Sequence, residues 1–348
     1  MSSPDPAATL RLEQFDPAAA PDATLRAAAR FHETMRAERM PEDPPLDEAA
    51  LIAGWRHPDA AAERCTFVLW DGDTVAASAS LSLPRDHHTH TVSVNLGVIA
   101  PYRRRGLGKR LMRAAAEYAA HSGRRTVLTT ADSRLPAGEV VLRRLGARLM
   151  MEQQFLQLDL AALQPQQLTN WLAEAEVSAE YRVWQNLGAY PAERLAEIAR
   201  LHSVMNTAPS GERDPEDIQT TPEQLRTEET AMFARAAQRL TSFAEHRPSG
   251  RLVAFSELFW DAGRPTLAFQ HATAVHPEHR RHSLGRWIKA ANLRALPSAN
   301  PQARFVRAGN TPDNLGMLSI NHALGFQPYT THTDWQLEVD ALRASLLG

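Results

Sequence analysis

The sequence predicts an α/β chain of the α+β type: two tandem domains, each a twisted, mostly antiparallel sheet flanked by helices. Strand and helix patterns alternate along the chain, a basic turn joins a strand to a helix twice, and the order of elements repeats at a nearly constant spacing. The first turn lies in Val98-Ile-Ala-Pro-Tyr-Arg-Arg-Arg-Gly-Leu-Gly-Lys-Arg-Leu-Met112, and the second starts at Val275. Val98 and Arg103 match Val275 and Arg280 at a shift of 177 residues. Leu145-Gly146 matches Leu324-Gly325, and Gln157-Leu-Asp-Leu160 matches Gln336-Leu-Glu-Val339, both at a shift of 179. The repeat divides the chain into residues 1–160 and 180–348, with a polar, helix-prone linker over 161–179.

In the first half, alternation over Leu10 to Phe15 predicts a strand. A helix follows from about Asp22 to Glu38, and prolines at 41, 44 and 45 separate it from a short one over Leu46 to Trp55. Strands are expected at Cys65 to Trp70, Val75 to Leu83 and Thr91 to Val98, the first two joined at Asp71-Gly72, a hairpin signal. Leu107, Leu111, Met112, Ala115, Tyr118 and Ala119 recur at helical spacing up to the stop at Ser122-Gly123. A strand over Arg125 to Thr130, a helix over Ala137 to Leu145 and a strand over Met150 to Leu160 close the half. The second half repeats the order. It has a strand at Tyr181 to Trp184, helices over Ala192 to Val204 and Pro222 to Leu240, and a loop over Ala208 to Thr221 between them. Strands follow at Leu252 to Trp260 and Thr266 to Val275, then a helix carrying Leu284, Ile288, Ala291 and Leu296. Arg304 to Arg307 is a strand, Asp313 to Leu324 a helix and Thr333 to Val339 the last strand.

With 43% hydrophobic and 22% charged residues in 348, the chain has enough apolar material for two cores. A net charge of -2 argues against a dedicated nucleic-acid binder, so the basic turns call for a small anion. The single Cys65 suits a reducing compartment and is expected as a buried apolar side chain. No signal peptide or membrane-spanning run is visible, and a cytoplasmic protein without membrane or nucleic-acid partners is expected. His87-His88-x-His90 has no accompanying Cys or carboxylate pair at metal-ligand spacing; it reads as a polar hairpin loop, and no metal is expected.

The turns carry the chemistry. Glycines at a new helix start leave backbone N–H groups open to approach, and arginines beside them add charge suited to a phosphorylated ligand. Val98 followed by Arg103-x-x-Gly106-x-Gly108, between a strand and a helix and followed by a Leu-Gly turn, resembles the acyl-CoA signature of the GCN5-related N-acetyltransferases. The resemblance covers both halves. It implies acetyl-CoA as co-substrate, with Val98 and Val275 at the thioester carbonyl end of a slot between splayed strands. By the same resemblance Arg103, Arg104, Arg105, Gly106, Leu107, Gly108 and Lys109 take the pyrophosphate in one copy. Arg280, Arg281, His282, Ser283, Leu284, Gly285 and Arg286 take it in the other. Ser283 stands where the first copy has Gly106, and binding there is expected to survive if its backbone angles are ordinary. Many members of that family place an Asn eleven residues, and a thiolate-protonating Tyr four residues, before the Gly of the Leu-Gly turn. Here those positions are Asn314 and Asn321 in the second copy and Leu135 and Leu142 in the first.

Leucine donates no hydrogen bond, so catalysis is expected in the second copy. Asn321 would stabilise the thiolate, and Asn310 and Asn314 would contact the coenzyme or cap the helix. Glu257, polar among aromatics on the strand before the signature strand, is the candidate base with a raised pKa. Strand alternation also has it pointing outward; His271 is the alternative base, and water a further one. The expected reaction is N-acetyl transfer to an amine by direct attack; the other reading is an acyl-CoA sensor with degenerate domains. The acceptor, a small-molecule amine or a protein, is not legible, although Glu42, Asp43, Glu212 and Asp214 lie in loops of the kind that shape acceptor pockets.

Overall fold

A computed structural model of the chain describes residues 10–56, 62–176, 180–204, 220–234 and 236–347. The chain forms two compact units: Met1–Met151 with His332–Gly348, and Glu152–Thr331.

The first unit contains β1 (Arg11–Phe15), α1 (Asp22–Arg39), α2 (Glu48–Arg56), β2 (Ala62–Asp71), β3 (Thr74–Pro84), β4 (Thr91–Val98), α3 (Leu107–His121), β5 (Thr126–Asp132) and α4 (Ala137–Arg144). The next strand, β6 (Arg148–Asp159), pairs antiparallel with a strand of the second unit. That unit continues with α5 (Pro165–Glu176), β7 (Tyr181–Leu187), α6 (Leu195–His202), α7 (Pro222–Ala234), β8 (Ala237–His246), β9 (Arg251–Asp261), β10 (Leu267–Val275), α8 (Leu284–Ala299), β11 (Phe305–Asn310) and α9 (Leu315–Ala323). The chain ends in β12 (Gln327–Glu338) and α10 (Val339–Leu347).

The sheet order is β1-β2-β3-β4-β5-β12 in the first unit and β6-β11-β10-β9-β8-β7 in the second. The neighbouring strands named here pair antiparallel except β4 with β5 and β10 with β11. Sequence repetition and compactness therefore divide the chain differently. β12 pairs with β5, from His332 opposite Asp132 to Glu338 opposite Thr126, and Trp335, Leu337, Val339, Leu342 and Leu346 lie in the core built on α3. β6 gives Leu156 and Leu158 to the core built on α8. The 161–179 stretch contributes to that same core, since Leu168, Trp171 and Leu172 of α5 are buried in it.

Two elements differ from the sequence expectation. The helix expected to run to Leu240 ends at Ala234, and β8 starts at Ala237 after the left-handed Ala236, φ 56°. The alanine-rich Ala234–Ala237 run hides this break, because alanine favours helix while a central strand position overrides local preference. α10, beyond the last expected strand, was not anticipated. The expected loop over 208–221 lies mostly outside the described residues.

Both signature helices start from a left-handed residue: Gly106 at φ 77° and ψ -1°, Ser283 at φ 60° and ψ 8°. Ser283 thus keeps the shape of the turn, but not with ordinary angles; its Cβ meets the following backbone in this region at a cost of about 1–2 kcal/mol.

Replacing Ser283 by Gly is expected to raise unfolding stability by about 1 kcal/mol in urea denaturation, part of the strain relief being offset by the entropy of the more flexible unfolded chain. Trp335→Ala is expected to destabilise by about 3–5 kcal/mol. By hydrogen exchange the loss of protection should fall on β5 amides, which would show that β12 completes the first unit's core.

Candidate functional site

Each signature strand ends in the same latched turn. Arg103 Nε donates to Val98 O at 2.9 Å, and Arg280 Nε donates to Val275 O at 3.2 Å. A single 3-10 turn precedes each arginine, and the next residues, Arg104 and Arg281, are left-handed. The arginine folds back and fixes the turn to its own strand. In the first unit the rest of the Arg103 guanidinium is held by the Glu38 carboxylate, so its fork is already engaged. Arg105 lies over the Tyr102 ring, His282 beside the Tyr181 ring, and Arg286 donates to Ser283 Oγ at 3.0 Å. The first-turn N–H groups of Leu107, Gly108 and Lys109 and of Leu284, Gly285 and Arg286 have no partner inside their own helices, the kind of group that can meet an anion. Gly106 is needed for its angles, not for space, since a Cβ there would touch nothing within 4 Å.

Beside each turn the parallel ladder stops early. β4 pairs with β5 only from Thr91–Thr126 to Ser93–Leu128, although β4 runs on to Val98 and β5 to Asp132. β10 pairs with β11 only from Leu267–Phe305 to Gln270–Ala308, although β10 runs on to Val275 and β11 to Asn310. The strands part, and each leaves a backbone edge facing a slot that an extended amide-bearing ligand can join by strand-like hydrogen bonds.

Of the two signature strands, β10 is bulged against its antiparallel neighbour and β4 is not. The register of β10 against β9 shifts between Gln270 and Thr273, and Gln270 Nε2 donates to Glu257 O at 2.8 Å beside the irregularity. The bulge turns His271 to the face of Glu257. There Glu257, 2% exposed, accepts from the Tyr190 hydroxyl at 2.6 Å and lies 3.6 Å from His271 Nδ1 and 3.9 Å from His202 Nε2. Burial alone would raise the Glu257 carboxyl; the contact with His271, the His202 imidazole and the Tyr190 hydroxyl outweigh it and hold the group below the usual range. The expected raised pKa is thus reversed. Glu257 in turn raises the His271 imidazole, and the His271 side chain keeps 70% of its surface open. Tyr190 is fixed by Arg239 stacked 3.5 Å from its ring centre and by its own N–H donating to Glu229 at 2.8 Å. Sequence reading missed Tyr190, His202, Arg239 and Glu229, which no motif links, because they meet only once β8, β9, α6 and α7 are packed.

In the first unit, at the same shift of 177, the Glu257 position is Ser80, opposite Asn95 in an unbulged pair. The same side is apolar: Phe31 and Met35 of α1 approach Gly97 closely enough that a Cβ there would meet each at 3.2 Å. Glu42 is paired with Arg134, Asp43 is buried with its carbonyl held by Arg36, and Glu212 and Asp214 lie outside the described residues.

Asn321 is fully buried. Its Oδ1 accepts from Lys289 Nζ at 2.6 Å and its Nδ2 donates to Asn310 Oδ1 at 2.6 Å, so both ends of its amide have partners inside the unit. Asn314 caps α9, its Oδ1 accepting from Met317 N at 3.2 Å. Cys65 is buried, as expected. Among the described residues no three His, Cys, Asp or Glu are grouped to hold a metal ion, and no helix is long and apolar enough to cross a membrane.

The family model for the acetyltransferase (GNAT) family matches residues 28–147. Among curated proteins no sequence matches the chain. Among solved structures, a tandem GNAT protein from the clavulanic acid biosynthesis pathway is 25% identical with a TM-score of 0.80, over 95% of this chain and 98% of that one. A GCN5-related N-acetyltransferase from Sphaerobacter thermophilus is 15% identical with a TM-score of 0.65, over 95% and 96%. A GCN5-related glucosamine N-acetyltransferase region of a fungal multi-domain GH3 β-N-acetylglucosaminidase is 13% identical with a TM-score of 0.63, over 94% of this chain and 38% of that one. The last two likenesses concern the fold alone. The family model places residues 28–147 in the acetyltransferase (GNAT) family, and the repeat of its signature in the second half, with a tandem GNAT neighbour spanning nearly the whole chain, supports a tandem arrangement of that family.

Proposed function

We propose that the second unit transfers an acyl group, acetyl by family expectation, from acyl-CoA to an amine, and that the first unit does not carry out transfer. The observation that carries this reading is the Glu257–His271 pair at the β10 bulge, on the strand that borders the slot, where the first unit has Ser80 and Asn95.

The residues divide the work by position. The backbone of His271 to Val275, unpaired with β11, takes the pantetheine amides, and the first-turn N–H groups of Leu284, Gly285 and Arg286 take the pyrophosphate. Arg280 holds the turn against Val275. The amine nitrogen attacks the thioester carbonyl carbon and forms the C–N bond, the C–S bond breaks with its electron pair on sulfur, and the amine proton passes to His271. Glu257 stays ionised, orients the imidazole and stabilises the charge that His271 gains, while Tyr190 holds Glu257 in place. The buried His202 Nε2 has no hydrogen-bond partner among the described residues and offers the acceptor a polar anchor. The mechanism is direct attack in a ternary complex; water is the competing proton acceptor, and a small amine or a protein amine is the acceptor class.

A thiol-release assay with a panel of amines tests this. Turnover on at least one amine is expected, with His271→Ala lowering kcat/KM about 100-fold. The raised His271 pKa places the acidic limb of the kcat/KM profile above the free imidazole range, because the base works only when neutral; Glu257→Gln should move that limb to lower pH while reducing the rate. Coenzyme A binding without turnover on any amine would favour the sensor reading.

Arg280→Glu breaks the latch of the proposed working copy and should abolish turnover, whereas Arg103→Glu should leave most of it. Equal losses in the two variants would overturn the assignment to the second unit.

A further inference from the structure

The second unit holds a buried cation that the transfer reading has not used. Lys289, on the second turn of α8, is 1% exposed. Its ammonium donates to Asn321 Oδ1 at 2.6 Å and lies 3.6 Å from Met317 Sδ and 5.6 Å from the centre of the Phe326 ring. No carboxylate faces it from α9 or from the chain around Phe326; burial is the sole cause that pushes its pKa down, to about 7. A lysine buried without a counterion is costly, and the three polar positions Lys289, Asn321 and Asn310 correspond to Met112, Leu142 and Ala131 of the first unit, all apolar.

The polar trio has a direction. Lys289 donates to Asn321, and Asn321 donates to Asn310 Oδ1. Asn310 is the last residue of β11, two residues beyond the point where β11 stops pairing with β10, and its side-chain Nδ2 has no hydrogen-bond partner among the described residues. Each donor in such a chain polarises the next, more strongly where water is excluded. We propose that Lys289 and Asn321 are positioning residues that make the Asn310 amide a charge-assisted hydrogen-bond donor to the thiolate leaving from acyl-CoA. This rests on the transfer reading of the second unit. In the step the C–S electron pair stays on sulfur, Asn310 donates a hydrogen bond without losing its proton, and the thiolate takes a proton from solvent after release.

The test needs no turnover. Coenzyme A is bound to the full-length protein, and its thiol is titrated by the ultraviolet absorbance of the thiolate. In the wild-type complex the thiol should titrate below free coenzyme A, whose thiol lies at roughly 8 to 9. Lys289→Met, which places the first unit's residue in the second, and Asn310→Ala, at a strand end, should each return it upward, with about tenfold less thiolate at neutral pH. kcat should fall by a similar factor with KM for acetyl-CoA little changed. Coenzyme A bound equally well, with a thiol that titrates alike in wild-type and both variants, would overturn the inference and leave the transfer reading standing. A wild-type protein that binds no coenzyme A would sink the transfer reading and this one with it.

Discussion

The proposed chemistry rests on a parallel ladder that ends before its strands do. Backbone N–H and C=O groups in a sheet are ordinarily paired, and leaving a run of them open is tolerated only where solvent or a ligand takes their place. β10 and β11 separate after Ala308, so a stretch of β10 keeps its hydrogen-bonding capacity for a guest. The arginine latch makes that opening rigid. By binding the carbonyl of the last strand residue, Arg280 fixes where the strand ends, and α8 then starts from the left-handed Ser283. Strand edge and helix start are thus held in one geometry by a single side chain and one strained residue.

The two units share this frame and differ in what lines it. In the first, Ser80, Met112, Ala131 and Leu142 make the surroundings of the slot short or apolar, and Phe31 and Met35 occupy the adjoining side. In the second the corresponding positions are Glu257, Lys289, Asn310 and Asn321, each buried and each hydrogen-bonded. Buried polar groups lower stability unless every partner is in place, and their concentration in one copy is what supports the proposal that places transfer there.

The frame was legible from sequence because it depends on local chemistry. The alternation of Thr91 to Val98, the glycine at 106 and the apolar stripe of α3 each act within a few residues, and the 177-residue shift carried them to the second copy. Asn321 was placed correctly on its helix but its partner was not: nothing near Lys289 in the chain shows that it lies 2.6 Å from an amide 32 residues later. Glu257 was identified by its apolar neighbours, yet the direction of its pKa depended on Tyr190, His202 and the bulged His271, which come from three separate elements. The strand pairing was hidden for a different reason. Gln157-Leu-Asp-Leu160 and Gln336-Leu-Glu-Val339 are so alike that each suits either sheet, and sequence cannot tell which copy a strand completes.

That likeness also explains how the pairing is tolerated. A strand is specified by alternation and by the side chains opposite it, and a one-residue slip would turn its apolar face to solvent. β6 sets Leu156 and Leu158 two residues apart against β11, and β12 sets Trp335 and Leu337 two residues apart against β5, so both ladders receive the same spacing of buried groups. What differs is size. Trp335, whose indole centre lies 5.0 Å from the Arg143 guanidinium, stands where the repeat has Leu156. The spacing of buried groups is shared between the copies, and the Trp335 and Leu156 positions differ in side-chain volume.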